Sequence, residues 1–295
     1  MKLAAIDIGS NAVRLLIRRV NDGFAEQSPD TLFITEHQER VALKSGTDTF
    51  AYGEIQPKTE IFLTAAICRF ARIMEAHGVD RYRGCATSAY RDARNGREVI
   101  ERVNRVSGLN IEVISGQEEA RITCCAYIAP REWTDDHLLF VDVGGGSTEV
   151  TLKQYDTVLY SHSFQVGSMR YVCGNQPADQ IALLDHVVAG LHEKYGRVHF
   201  VGVGGCVKFM RDWLNGRKQS DTFQVSDMRA LYEKLKTLPP DEISFLYDVS
   251  RERADILVPA SSIFLRIADG FGSTEITAPV LGVREGIITE LYQTL

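Results

Sequence analysis

The sequence predicts an α/β protein with two similar domains, and three observations lead to this prediction. The chain has 295 residues, which is more than one hydrophobic core usually organises. A segment near the start is repeated near the middle. Strand-like and helix-like stretches alternate and are joined by glycine turns, which excludes the all-α and all-β classes. We place the boundary near residues 125–135, around Pro130, which gives domains over residues 1–128 and 129–295.

Composition and charge limit the class of protein. Apolar residues make up 44% of the chain and charged residues 24%, as in ordinary globular proteins. The formal charge of −6 argues against a nucleic-acid polymer as partner, because such partners are held by an excess of Lys and Arg. Asp7 interrupts the apolar run at the N-terminus, and the six cysteines show no CxxC spacing. We therefore expect a cytoplasmic protein without membrane contact.

The repeat is a hairpin with an acid and glycines at its turn. AAIDIGSNAVRLLI aligns without a gap with LFVDVGGGSTEVTL, so that Asp7 meets Asp142 and Gly9 meets Gly144 at a constant offset of 135 residues. Each copy predicts a strand, a tight polar turn and a second strand. Backbone N–H groups and hydroxyls at such turns suit phosphate. We expect the two hairpins to face each other across a cleft.

Helical patterns fill the first half between these hairpins. One helix, which Gly78 ends, is predicted to bury five residues on a single face: Ile61, Ala65, Phe70, Ile73 and Met74. Seven arginines between residues 81 and 105 give that stretch a local charge of +4, and most of them are expected on a solvated face. Arg91 is the exception, because it follows Thr87 and Ser88 at a predicted helix start, where it suits an oxyanion.

A pair of acids follows in IEVISGQEEARIT. Glu118 and Glu119 fall in the first turn of a predicted helix, after a short strand and the turn Ser115-Gly116. Adjacent acids at this place commonly serve only the helix dipole. Neighbours on a helix point about 100° apart, so one of the two can face a cleft. A carboxylate there, near a bound phosphate chain, would deprotonate an attacking water.

A third glycine site lies in VHFVGVGGCVKFM. The pattern predicts a buried strand to Val203, a turn at Gly204-Gly205 and a helix from Cys206, with Lys208 near the turn. This arrangement would direct free N–H groups at an anion or nucleotide. Another helix, ended by Pro239-Pro240, is predicted to bury three apolar residues, Met228, Leu231 and Leu235.

Carboxylates are the candidate metal ligands. Asp7, Asp142 and Glu149 offer the oxygen ligands that Mg²⁺ prefers beside substrate phosphates. Glu149 follows the turn and has two possible roles, as a metal ligand or as a residue that orients water. Histidine and cysteine do not cluster, which argues against zinc, and no G-x-S-x-G elbow supports a serine nucleophile.

Seven segments together resemble one known family. In order they are DIGSNAVRL, ATSAYRDARN, ISGQEEARIT, VDVGGGSTEV, SFQVGSMRY, GGCVKFM and GVREGIITELY. They are similar to the motifs of the exopolyphosphatase and guanosine pentaphosphate phosphohydrolase family, Ppx/GppA, from residue 1 to about residue 292. One departure is Ala12, where many members have a serine.

The resemblance implies a fold and a reaction. The fold would have two ribonuclease-H-like lobes, as in the actin, hexokinase and heat-shock chaperone superfold, with an active site in the interdomain cleft and a final helix near residues 284–295 that packs on the first lobe. The reaction would release terminal phosphate from inorganic polyphosphate, or the 5′ phosphate of guanosine pentaphosphate, with Mg²⁺. Longer members add a C-terminal helical domain that supports dimerisation. We expect this chain to be a short form of the family without that domain, and whether it forms a homodimer is left open.

The resemblance also assigns residues, which add to those chosen above. By motif position the catalytic glutamate is Glu119, and Glu118 and Glu149 are the further catalytic candidates. The expected phosphate contacts are Gly9, Ser10, Asn11, Arg91, Gly144, Gly145, Gly146, Ser147, Gly204, Gly205 and Lys208. Two alternatives remain open: a kinase or ATPase of the same superfold, and a non-catalytic sensor of guanosine tetra- or pentaphosphate.

Overall fold

A computed structural model describes residues 1–21, 32–125, 127, 136–216 and 220–294. The chain forms two compact units, one of Met1–Ile128 with Leu281–Leu295 and the other of Ala129–Val280. The predicted boundary around Pro130 lies outside the described residues.

The described part of the first unit contains one mixed sheet. Its strands are β1 (Lys2–Ile8), β2 (Ala12–Val20), β3 (Phe33–Ala42), β4 (Arg81–Ala86) and β5 (Ile111–Val113). They are ordered β3-β2-β1-β4-β5, with β1, β4 and β5 parallel and β2 antiparallel to both of its neighbours. Its helices up to residue 125 are α1 (Ser45–Tyr52), α2 (Pro57–Ala76), α3 (Ser88–Asp92), α4 (Gly96–Ser107) and α5 (Gly116–Cys125).

The second unit has a similar sheet with one additional edge strand. Its strands are β6 (His137–Val143), β7 (Thr148–Gln154), β8 (Thr157–Phe164), β9 (His199–Val203), β10 (Thr222–Gln224) and β11 (Glu275–Thr277). Their order is β10-β11-β9-β6-β7-β8. Its helices are α6 (Ser168–Val172), α7 (Ala178–Tyr195), α8 (Gly205–Asn215), α9 (Val225–Leu235), α10 (Pro240–Leu246) and α11 (Arg251–Phe271).

The last helix returns to the first unit. Helix α12 (Val283–Gln293) packs against β1 and α5. A β-carbon built at Gly286 would lie 2.0 Å from the carbonyl oxygen of Ile122, so the two helices touch at a point where only glycine fits. This close approach ties α12 to the helix that carries Glu118 and Glu119.

The predicted repeat is confirmed at the level of strand pairing. The order β3-β2-β1-β4-β5 matches β8-β7-β6-β9-β11, and each pair of neighbours has the same sense in both sheets. The turns match as well, because Gly9 N–H donates to Ala12 O at 3.0 Å and Gly144 N–H donates to Ser147 O at 2.9 Å. The α/β class and the two ribonuclease-H-like sheets are therefore as predicted.

Side chains alternate across β1 between two buried faces. Ile6 and Ile8 join the core under α2 and α4, whereas Leu3 and Ala5 join the core that includes residues of α5 and α12. Because successive residues of a strand point to opposite faces, Asp7 lies on the same face as Leu3 and Ala5. It therefore lies at the end of β1 on the side covered by α5.

The helical predictions were mostly correct. Phe70 and Met74 on α2 are buried, as are the three predicted residues of α9. Ile73 is half-buried. Ile61 and Ala65 are corrections, since Ile61 is 68% exposed and Ala65 is also exposed, and the buried stripe of α2 runs instead through Leu63 and Ile67. Within the described residues, no helix combines the length and apolar character needed to cross a bilayer.

Candidate functional site

The first predicted phosphate loop joins β1 to β2. The tip of this loop consists of Ser10 and Asn11, and Gly46 N–H donates a hydrogen bond to Ser10 O at 2.7 Å. Ser10 Oγ lies 2.9 Å from Ser88 Oγ. The hydrogen bond between the two hydroxyls takes one of their two protons, so the second proton can be donated to a ligand. Asn11 Oδ1 is buried and accepts no hydrogen bond among the described residues.

Asp7 at the end of β1 is neutralised within its own unit. Its Oδ2 accepts a hydrogen bond from Arg14 Nη1 at 2.8 Å, and the two residues are register partners across β1 and β2. On its other side Asp7 pairs in register with Cys85 of β4. Burial raises the pKa of the Cys85 thiol to about 12, so this side chain stays neutral near the loop.

Glu119 on α5 is the buried member of the acid pair. Glu119 is only 9% exposed, and its Oε2 accepts a hydrogen bond from Arg91 Nη1 at 3.2 Å. The same nitrogen donates to Ile114 O at 3.0 Å, at the end of the segment that leads into α5. The position near the N-terminus of α5 favours a negative charge. Arg91, predicted as a phosphate contact, thus binds the predicted catalytic carboxylate.

Glu118 faces a different set of partners. It accepts hydrogen bonds from Arg121 and from Arg83 Nη2, the latter at 2.9 Å, and both arginines also pair with Glu290 of α12. The hydrogen bond from Arg121, with help from Arg83, lowers the pKa of Glu118 to about 2. The carboxylate is therefore tied into a network that links α5, β4 and α12.

The second predicted loop, between β6 and β7, has all three of its glycine carbonyls held by the segment that starts α6. The donors are Ser168 N to Gly144 O at 3.0 Å, Met169 N to Gly145 O at 2.7 Å and Arg170 Nε to Gly146 O at 2.7 Å. In a trans peptide the carbonyl and the following N–H point in opposite directions. The N–H groups of residues 145–147 therefore point away from α6, and consecutive donors of this kind make an anion-binding nest.

Gly167 and Arg170 contact the second loop, and the sequence reasoning did not single them out. A β-carbon at Gly167 would lie 2.4 Å from Gly145 O, so only glycine allows the close approach. Arg170 is buried although it carries a charge. Both residues lie in the segment SFQVGSMRY. The arginine that follows a glycine turn there is the sequence feature from which they could have been predicted.

Two acids face each other beside the second loop. Asp142 on β6 and Glu149 on β7 are register partners, and Glu149 lies where Arg14 lies in the first unit. Glu149 is buried and its Oε1 accepts a hydrogen bond from Ser163 Oγ at 2.7 Å. Like charges directly opposite each other in a sheet are unfavourable. This pair suits a bound cation.

The third glycine site begins α8, as predicted. Gly204 has a φ of 108° and a ψ of 169°, and a β-carbon there would lie 3.2 Å from Asp142 Oδ1. Lys208 is half-buried, and its ammonium makes no hydrogen bond or ion pair with the described part of the chain. Arg253, which sequence reasoning missed, places Nη2 3.6 Å from the β-carbon position of Gly205.

The arginine-rich stretch is largely paired. Arg94 binds Glu54 at 3.0 Å and Arg102 binds Glu60 at 2.6 Å, while Arg81 donates to the carbonyls of Leu291 and Thr294. These contacts, with those of Arg83 and Arg91 above, offset the local excess of charge. The expectation that most of the seven arginines lie on a solvated face is met, because four of them are exposed: Arg94, Arg97, Arg102 and Arg105.

A family model described as the Ppx/GppA phosphatase family matches residues 17–295. The chain is 33% identical over 151 residues to a Mycobacterium tuberculosis protein named Exopolyphosphatase 1, covering 51% of this chain and 42% of that protein. It is 22% identical over 310 residues to a Photobacterium profundum protein named Guanosine-5'-triphosphate,3'-diphosphate pyrophosphatase, covering 99% and 59%. The matched regions thus span about half the length of these curated relatives.

A solved structure agrees with the fold. The crystal structure of an exopolyphosphatase from Cytophaga hutchinsonii matches with a TM-score of 0.85 and 20% identity, covering 100% of this chain and 99% of that one. At this identity the likeness shows the fold alone. The match of the family model covers most of the chain and six of the seven motifs, all except DIGSNAVRL at residues 7–15, and the chain belongs to the Ppx/GppA phosphatase family.

Proposed function

We propose that this chain is a phosphoanhydride hydrolase that releases terminal phosphate from inorganic polyphosphate or the 5′ phosphate from guanosine pentaphosphate. The observation that carries the proposal is the buried Glu119 carboxylate, held by Arg91 beside the first phosphate loop. The names of the two curated relatives supply the substrate class.

The proposed reaction is attack of water on the terminal phosphorus. Glu119 accepts one proton from the water, the new P–O bond forms, and the bridging P–O bond breaks, so that orthophosphate leaves the shortened chain. Backbone N–H groups of residues 145–147 donate to phosphate oxygens that gain charge. Substrate oxygens also compete for Arg91, which frees the Glu119 carboxylate to accept the proton.

The donor set of the second unit fits Mg²⁺. Magnesium commonly binds through one or two carboxylates and completes its shell with waters and substrate phosphates. Asp142 and Glu149 face each other in register and would hold it. The ion pair with Arg14 makes Asp7 less suited to a cation, so we assign the metal to the other two acids. When bound, the ion neutralises phosphate oxygens and so favours attack on phosphorus.

A parallel assay tests the proposal. Phosphate release is measured on short polyphosphate, long polyphosphate, guanosine pentaphosphate and ATP, each with Mg²⁺ and with EDTA. We expect release from polyphosphate or guanosine pentaphosphate that depends on Mg²⁺. Turnover of ATP alone would instead indicate the kinase or ATPase alternative, and tight binding of guanosine pentaphosphate without any release would indicate a sensor.

A further inference from the structure

Four charged side chains of the first unit form a closed ring next to Glu119. Arg83 of β4 donates from Nη2 to Glu118 Oε1 at 2.9 Å and from Nη1 to Glu290 Oε2 at 2.7 Å. Arg121 of α5 donates from Nε to Glu118 Oε2 at 2.8 Å and from Nη2 to Glu290 Oε1. Each arginine thus binds both acids, and each acid binds both arginines. The ring joins β4, α5 and the last helix, α12.

The ring is sheltered enough to hold a fixed geometry. The side chains of Arg83, Glu118 and Glu290 are 22%, 29% and 19% exposed, and that of Arg121 is 48% exposed. Isolated ion pairs at a surface contribute little, but networks of several charges with well-placed arginine forks are the exception. We therefore expect the ring to restrain the helix that carries Glu118.

Glu119 follows Glu118 in the first turn of α5, so the two side chains move together. A rotation of the helix about its axis displaces both carboxylates through the same angle. An α-helix with its side chains has a radius of about 5–6 Å, so a rotation of about 10° moves a carboxylate by about 1 Å. A misplacement of about 1 Å can lower a reaction rate by about 100-fold. The rotation of α5 therefore matters for the proposed general base.

Other contacts of α5 do not fix this rotation throughout the proposed reaction. The hydrogen bond from Arg91 to Glu119 is weakened when substrate oxygens compete for the same guanidinium. The close approach of Gly286 to Ile122 O sets the distance between α5 and α12. Glu118 lies one turn nearer to the start of α5 than Ile122 and extends from the helix to the ring, so its bonds resist rotation.

We propose that Glu290 is a positioning residue for Glu119. Through the two arginines of the ring, Glu290 fixes the rotation of α5. The Glu119 carboxylate then stays directed at the attacking water while substrate engages Arg91. This inference rests on the proposed function and extends it to α12. If Glu290 were important only for folding, its loss would change stability and leave the reaction of the folded protein unaltered.

Kinetics of one variant and a matched control separate these two roles. Glu290→Gln keeps the size of the side chain and removes its charge, and we expect kcat for short polyphosphate to fall about 10- to 100-fold with KM nearly unchanged. Arg81→Gln is the control, because Arg81 ties β4 to the same helix outside the ring, through the carbonyls of Leu291 and Thr294 at 3.3 Å each. An unchanged kcat in folded Glu290→Gln, or an equal fall in both variants, overturns the inference.

A double variant shows whether Glu290 acts through Glu119. The general base is already lost in Glu119→Gln, so adding Glu290→Gln there should lower kcat by less than about two-fold. The same fall in kcat with and without Glu119 would mean that Glu290 acts independently of it, which contradicts the proposal.

Hydrogen exchange of the backbone amides of residues 116–125 tests the restraint without turnover. Exchange should be faster in Glu290→Gln than in the natural chain, and less affected in Arg81→Gln. If polyphosphate is hydrolysed and Glu290→Gln alters neither kcat nor exchange, the inference is wrong and the hydrolase stands. If no substrate is hydrolysed but exchange rises as expected, the restraint on α5 stands and the proposed function is wrong.

Discussion

Asp7 and Asp142 occupy the same place in the repeat but have opposite neighbours. Asp7 pairs with Arg14, whereas Asp142 faces Glu149 at the equivalent register position. At this register position the first unit therefore pairs its acid with a base, and the second unit pairs its acid with another acid. We propose that the cation binds in the second unit because of this difference.

Gly204 is the residue where the backbone itself constrains the site. Its φ of 108° and ψ of 169° belong to a region essentially restricted to glycine. We expect Gly204→Ala to lower the free energy of unfolding by about 1–3 kcal/mol. It should also reduce phosphate release, because the new methyl group would displace the Asp142 carboxylate. Urea unfolding and steady-state kinetics measure the two effects.

Gly272 provides the control for that substitution. It also has a positive φ, of 61°, but nothing lies within 4 Å of its β-carbon position. Gly272→Ala should cost about 1 kcal/mol of stability through backbone strain and leave phosphate release unchanged. Equal loss of activity in the two variants would show that Gly204 acts only through stability.

At the scale of elements, α6 shapes the second loop by binding its carbonyls. Arg170→Gln removes the Nε–H that binds Gly146 O and leaves a buried acceptor without its donor. We expect KM for polyphosphate to rise about 10-fold, which corresponds to about 1.4 kcal/mol of lost binding and lies within the cost of one such bond. Arg170→Lys should behave similarly, because lysine lacks the planar fork of arginine.

Arg211→Gln is the matched control for Arg170. Arg211 is a buried arginine of the same unit that donates to the carbonyl of Ala278 at 2.6 Å, in contact with neither glycine loop. Both variants should lose stability in urea, and only the Arg170 variants should show a raised KM. A similar KM change in Arg211→Gln would mean that α6 does not shape the loop specifically.

The Glu118 network joins α5 to α12 and predicts a pH dependence. The pKa of Glu118 is lowered to about 2 from an ordinary value of 4.5. Its contribution to stability is therefore complete above pH 4.5 and is lost as the pH falls toward 2. Because the side chain is partly exposed, we expect Glu118→Gln to cost only about 1 kcal/mol at pH 7.

Urea titrations between pH 7 and pH 3 measure this effect. The difference in unfolding free energy between the natural chain and Glu118→Gln should shrink as the pH falls below 4.5, since protonation removes the same charge. Glu101→Gln, on the exposed face of α4, removes an equal charge outside the network. A difference that stays constant over this range would contradict the network.

For the whole molecule, the repeat in the sequence predicted most of the architecture. A constant offset of 135 residues anticipated two sheets with equivalent hairpins, and the motif order anticipated the family. These features depend on local patterns. The exposed positions of Ile61 and Ala65 were missed because the buried stripe of α2 follows Leu63, Ala66 and Ile67, and spacing alone does not tell which of two adjacent helical rows faces the core.

Contacts between distant segments account for what the sequence did not reveal. The bonds from α6 to the glycine loop join residues 24 positions apart, and the pair of Glu290 with Arg83 joins residues 207 positions apart. Neither contact is predicted by a pattern of neighbouring residues in the sequence. Helix geometry predicted that Glu118 and Glu119 point in different directions, so that only one of them can face the ligand. It did not predict which of the two this is.

In the proposed reaction, Glu119 removes the proton from the attacking water. The most direct test is single-turnover phosphate release from polyphosphate by Glu119→Gln, with substrate binding measured by calorimetry on the same preparation and Glu101→Gln as the charge control. We expect a rate of phosphate release that is lowered by about 10²- to 10⁴-fold, as for loss of a general base, with substrate affinity nearly unchanged. Release at the rate of the natural chain, from a folded variant, would contradict it.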